Sequence, residues 1–203
     1  MAALEGRILT PSPKSPPDPP ALANGHTLLA WTRRWGLSWQ GWLDNRRGEW
    51  WLLAQLLLIA ANLLPPWPAP GAWGYAWPLP LALAGAALVV LGGVLALQAL
   101  WSLGFSLTPL PEPMPGAALV TTGAYARCRH PLYQALLLAS FGWTLALGSV
   151  LHLGLCLVLS GVLRGKARRE ERALERQDPD YAAYRARTAA IIPGLPGLDW
   201  RRL

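Results

Sequence analysis

Two long apolar runs dominate this chain and limit what it can fold into. Residues 76–104 and 132–163 contain no Asp, Glu, Lys or Arg. Each is longer than the roughly 20 residues that cross a bilayer. Charged residues make up only 14% of the chain, against roughly 25% in soluble domains. The pattern predicts an all-α integral membrane protein. The second run is too long for one span, and Gly148 and Ser149 lie near its middle, which predicts a tight helical hairpin.

A shorter apolar run over residues 50–65 brings the expected spans to four: 50–65, 77–104, 131–147 and 149–164. Pro78 and Pro80 suit the first turn of the second span. Gly92 and Ala96 form a small pair that admits a close helix neighbour. The basic residues support this count. Of 18 lysines and arginines, six precede the first span, two lie in the central loop and ten follow the fourth span. Four spans place all of them on one side, as the positive-inside rule requires, with both termini cytoplasmic. The net charge of +7 therefore points to anionic lipid headgroups rather than nucleic acid.

Outside the spans the texture changes. Residues 1–23 hold six prolines between Pro11 and Pro20 and predict a disordered tail. Over 24–49, Trp31, Trp35 and Trp39 recur every four residues, with Arg33 and Arg34 off that stripe. This reads as an amphipathic interfacial helix lying on the membrane surface, with packing on other helices as the alternative. Residues 65–77 are an uncharged aromatic turn suited to the far interface. Cys128 and Cys156 show no metal-type spacing, predict free thiols, and leave no metal site to expect. The N-terminus has no apolar core of the signal-peptide kind. Residues 165–203 form a charged segment: a helix over 165–176, a break at Asp178-Pro179, a short helix through Tyr181 and Tyr184, and an apolar Ile191-Ile192-Pro193 expected at the membrane surface.

The chemistry-bearing groups cluster around the central loop and this last segment: Tyr125, Arg127, Arg129, His130, Tyr133, Glu170 and Glu171. Taken separately, the loop reads as a basic flank with a proline helix start. The residues around Glu170 read as a solvated helix laced with ion pairs. Together they are the parts of a ligand site. Carboxylates hold an ammonium, an arginine holds a carboxylate, and aromatic rings cover a sulfonium or an adenine. His152 stands alone in the apolar run and reads as a hydrogen-bonded or wet histidine near the far end of the hairpin.

These residues bear a resemblance. LTPLPEP at 107–113, LVTTGAYARCRHPLY at 119–133, the hairpin with Gly142 and Ser149, Lys166, Glu170-Glu171, Leu174, YAAY at 181–184 and IIP at 191–193 together resemble the isoprenylcysteine carboxyl methyltransferase family. That family is related to the phospholipid methyltransferases. The likeness covers roughly the C-terminal half. It implies S-adenosyl-L-methionine as cofactor, bound at the cytoplasmic side beneath the C-terminal segment, with a lipid-side opening for an apolar or isoprenoid acceptor. It assigns Leu119, Gly123, Tyr125, Arg129, His130, Pro131, Tyr133, Glu170 and Glu171 to the cofactor site, with Arg129, His130 and Glu171 catalytic. The family often carries a basic residue before its terminal IP motif; Ala189 and Ala190 stand there, so Arg185 or Arg187 is expected to orient the substrate instead.

The acceptor then decides the chemistry. A carboxylate needs no general base, and methyl transfer rests on alignment and exclusion of water. An amine needs a base, for which His130 and the glutamates are candidates. Carboxylate methylation of a lipid-like or prenylated acceptor is the favoured expectation. Membrane sterol reductases, which use NADPH, resemble the same region but carry more spans; a non-enzymatic scaffold is the third reading.

Overall fold

A computed structural model of the chain describes residues 39–104, 108–112 and 118–201. The proline-rich segment and most of the segment expected to form the tryptophan helix, including Trp31, Arg33, Arg34 and Trp35, lie outside the described residues, as do Leu107 and Pro113. Among the described residues there are six α-helices and no strand: α1 Trp39–Asp44, α2 Glu49–Ala61, α3 Leu79–Leu103, α4 Pro131–Leu147, α5 Val150–Gln177 and α6 Tyr181–Arg187. The helical class is as expected. Two helices, α3 and α5, are long and apolar enough to cross a membrane, while α2 and α4 are apolar but shorter.

Local sequence explains most boundaries. The first helix ends at Asp44, short of the expected limit at residue 49, because Asn45 and Gly48 take positive φ values of 50° and 84°, which a right-handed helix does not tolerate. Asn62 closes α2, its side-chain amide donating to the Leu58 carbonyl at 2.8 Å. Pro78 caps α3 and Pro80 sits in its first turn. Pro131 is the first residue of α4, and Gly148 ends it at φ 60°. The Trp77 ring lies where a Gly148 Cβ would be, 2.4 Å away. Ser149 then caps α5 by accepting the His152 N–H.

The charged segment is not a separate helix. It continues the fourth apolar run as one 28-residue rod, about 42 Å long at 1.5 Å per residue. The apolar part ends at Leu163 and the charged part begins at Arg164. Lys166, Glu170 and Glu171 are therefore fixed rigidly to the bundle.

Small residues let α3 and α4 meet. A Cβ on Gly85 would lie 2.3 Å from the Ala146 nitrogen; one on Gly142 would lie 2.6 Å from the Gly85 carbonyl; one on Gly92 would lie 2.7 Å from the Ala135 carbonyl. Backbones this close leave no space for larger side chains. The contact runs through Gly85 and Gly92, two turns apart, more than through the expected pair of Gly92 and Ala96. On the outside, α3 exposes Leu83, Val90, Leu97 and Trp101, an apolar surface of the kind lipid covers.

The C-terminal residues correct one expectation. Ile191 does not form a surface patch. It is fully buried in a core with Leu137, Leu159, Leu163, Ala167, Ala190 and Trp200. The segment after α6 folds back under the helix ends, and backbone pairing draws it there: Arg129 N–H donates to the Ala189 carbonyl at 2.8 Å and His130 N–H to the Ala190 carbonyl at 3.0 Å.

Candidate functional site

That pairing builds the site. It presses the loop before α4 against the C-terminal segment, with α5 alongside. Gly123 makes the approach possible. It has φ 61°, and a Cβ there would lie 2.6 Å from Ser102 Oγ on α3. The neighbouring Ala124 N–H donates to that hydroxyl at 3.3 Å. Gly123 thus docks the loop onto α3, and it does not line the cavity described below. Leu119 is half-buried, and Pro131 is buried as the helix start.

Arg129 is the hub, with only 3% of its surface exposed. Its Nε donates to Glu171 Oε1 at 2.9 Å. Nη1 donates to the Arg185 carbonyl at 3.0 Å and also to the Thr188 carbonyl. Nη2 donates to the Trp200 carbonyl at 3.2 Å. The guanidinium is engaged by the protein itself and joins four parts of the chain.

Glu171 is equally engaged. Besides Arg129, its Oε1 lies 2.9 Å from His130 Nε2, and its Oε2 accepts the Trp200 indole N–H at 2.7 Å. Burial acts to raise this carboxyl, but the hydrogen bonds and charges of His130 and Arg129 outweigh it and hold the carboxyl at about 2. An ionised carboxylate only accepts, so His130 Nε2 carries a proton and Nδ1 faces the other way. There it lies 3.7 Å from Glu170 Oε2. The Tyr133 hydroxyl donates to the same oxygen at 2.9 Å, and the Tyr133 ring stacks on His130 with centroids 5.2 Å apart.

A cavity of about 300 Å3 opens beside this cluster. Tyr125, Arg129, His130, Tyr133, Lys166 and Glu170 form its polar wall, and Leu52, Ile59, Ala96 and Leu136 belong to its apolar wall. Five of the expected cofactor residues therefore share one cavity. Glu171 stands behind it, as a holder of His130 and Arg129. Arg185 pairs with Glu175 and Arg187 is exposed; neither lines this cavity. Ala189 and Ala190 are 4% and 0% exposed, so a basic side chain at either position has no space. The buried Cys128 thiol, pushed up to about 11 by its burial, is a packing group.

Two participants escaped the sequence reading of roles. Trp200 lies beyond a glycine- and proline-rich stretch, with no local pattern to mark it. Lys166 was visible only as a matching position. Among the described residues no group of three or more His, Cys, Asp or Glu is arranged to hold a metal ion.

Apolar helices ending in a buried Arg–His–Glu cluster, beside a cavity with one polar and one apolar wall, define a membrane-type helical protein with a small-molecule site. Sequence comparison adds a likeness: residues 81–177, from within α3 to the end of α5, match the phospholipid methyltransferase family. Two curated relatives are the cobalt-zinc-cadmium resistance protein CzcN of Cupriavidus metallidurans, 40% identical over 82 residues (38% of this chain, 36% of the relative), and the nickel-cobalt-cadmium resistance protein NccN of Alcaligenes xylosoxydans xylosoxydans, 35% identical over 82 residues (38% and 37%). The chain thus spans little more than a third of the length of the curated relatives it matches.

Proposed function

We propose that this protein transfers a methyl group from S-adenosyl-L-methionine to a lipid-like or prenylated acceptor at the cytoplasmic face of a membrane, with carboxylate O-methylation favoured. The observation that carries the reading is the two-sided cavity, with polar groups on one wall and apolar helix surface on the other, its polar wall lying within the segment that resembles the methyltransferase family. In this reading α2 and α4 join α3 and α5 as spans, and the basic residues at the charged end of α5 face anionic headgroups.

The donor set fits the cofactor. Glu170 is the carboxylate that lines the cavity, and it binds the ammonium group. The stacked His130 and Tyr133 rings give an aromatic face for a sulfonium. When bound, S-adenosyl-L-methionine supplies an activated methyl group. The protein's part is to orient, to exclude water and, for an acceptor that must lose a proton, to receive it at His130 Nδ1, which Glu171 directs toward the cavity. Apolar residues of α2, α3 and α4 hold the acceptor's hydrocarbon.

Calorimetric titration of S-adenosylhomocysteine into detergent-purified protein tests this, with NADPH as control. Saturable binding that falls about 10- to 100-fold in Glu170→Gln is expected, the range for losing a charged hydrogen bond. Binding of NADPH alone, by well-folded protein, would overturn it.

A further inference from the structure

Lys166 stands one turn before Glu170 on α5, and both side chains line the cavity. Opposite charges at this spacing on a helix are within reach of each other. These two stay apart: among the described residues no carboxylate lies within 4.0 Å of the Lys166 ammonium. Each is held apart by a different anchor. Lys166 Nζ donates to Gln55 Oε1 at 2.7 Å and to the Pro109 carbonyl at 2.8 Å, and it lies 5.4 Å from the Tyr133 ring centroid. Glu170 is held by the Tyr133 hydroxyl.

Lys166 is only 3% exposed, and its two hydrogen-bond acceptors are neutral. An ammonium has three donors. A buried ammonium with no carboxylate in contact is poorly compensated, so the loaded site gains by bringing an anion to it. Arg129 does not compete for that anion, because Glu171 and three carbonyls already engage it. Arg185 and Arg187 lie outside the cavity.

We propose that Lys166 and Glu170 form a split ion pair that clamps the α-amino-acid end of the methyl donor, Lys166 on its carboxylate and Glu170 on its ammonium. This rests on the methyl-donor reading above. It moves carboxylate recognition from the arginines, where sequence motifs place it, to a lysine of α5. It also gives Gln55 and the Pro109 carbonyl a purpose: they keep Lys166 from closing on Glu170.

The test is a calorimetric series on the full chain in detergent with three ligands. S-adenosylhomocysteine carries both charged groups; its decarboxylated analogue keeps only the ammonium; 5′-methylthioadenosine lacks both. Wild type is expected to bind the decarboxylated analogue about 10-fold or more weakly than S-adenosylhomocysteine, in line with a charged hydrogen bond. In Lys166→Met that preference disappears, while 5′-methylthioadenosine binds as in wild type and certifies the pocket. If the methionine variant loses 5′-methylthioadenosine as well, Lys166→Gln, which still donates to Gln55 and Pro109, takes its place. A folded Lys166 variant that keeps the wild-type preference overturns the clamp and gives Lys166 to an anionic acceptor. Wild type that binds none of the three overturns the methyl-donor reading itself, and the clamp with it.

Discussion

His130 and His152 are both buried and both hydrogen-bonded, yet they stand for two different uses of a polar residue. They flank the two ends of α4, whose 17 residues separate them by about 25 Å. His152 is 0% exposed. Its Nδ1 lies 2.8 Å from Ser149 Oγ and its Nε2 3.3 Å from the Asn62 carbonyl. The same Ser149 hydroxyl accepts the Trp67 N–H at 3.0 Å. All these partners are neutral, and together they tie α2, the aromatic turn and the α4–α5 hairpin. The nearby aromatic cavity is walled by Trp73, Tyr75 and Trp77 among others, without His152. His130 instead lies between two carboxylates on a cavity wall. Burial and histidine chemistry are common to both. Charge held beside open space belongs to one.

The sharpest way to break this contrast is Glu171→Ala. It leaves Arg129, the His130 Nε2–H and the Trp200 indole N–H facing each other without their acceptor. Removing one partner of a buried ion pair destabilises by about 3–5 kcal/mol. Chemical denaturation of the detergent-solubilised protein should show that loss, together with loss of the C-terminal segment's protection from protease. A variant within about 1 kcal/mol of wild type would mean that Glu171 does not organise the site.

Acidification probes the same group more gently. Glu171 is held at about 2, below its ordinary 4.5, so the folded state binds its proton less readily than the unfolded state. Its contribution is complete above pH 4.5 and is lost as pH falls toward 2. Melting temperature measured from pH 6 downward should decline through that window, and Glu171→Gln should flatten the decline. An acid limb of equal slope in wild type and Glu171→Gln would remove Glu171 from the explanation.

The same contrast explains what the sequence could and could not reveal. Pro131 and Gly148 bound α4 where they were expected to, because each carries its own backbone constraint. The join at Leu163 and Arg164 looked like a boundary but changes only polarity, and one helix crosses it. Lys, Arg, Ala and Glu favour helix as strongly as Leu does, and the rod continues until Asp178-Pro179. Tyr125, His130, Tyr133 and Glu170 stood out through their motif, and all four line the candidate cavity. Arg129 and Glu171 were legible too, but their engagement by the Thr188 and Trp200 carbonyls and the Trp200 indole was not, since those partners lie 29 to 71 residues away. Ile191 shows the same limit: three apolar residues carry no period that separates a core from a surface.

His152 gives the smallest expected effect and the cleanest control. His152→Ala removes two hydrogen bonds between neutral groups and leaves Ser149 Oγ and the Asn62 carbonyl short of a partner. Such losses are worth about 1–3 kcal/mol, less than the Glu171 change because no charge is stranded. His152→Gln, which can restore one bond, should recover part of it. Neither variant touches the cavity, and α4 and α5 remain joined through Gly148 and the Trp77 ring. Affinity for S-adenosylhomocysteine should therefore stay within about twofold of wild type, under half a kcal/mol, even as the melting temperature falls. If binding weakened in step with stability, the far end of the hairpin would be coupled to the site through α4. The division between a structural histidine and a functional one would then have to be redrawn along that helix.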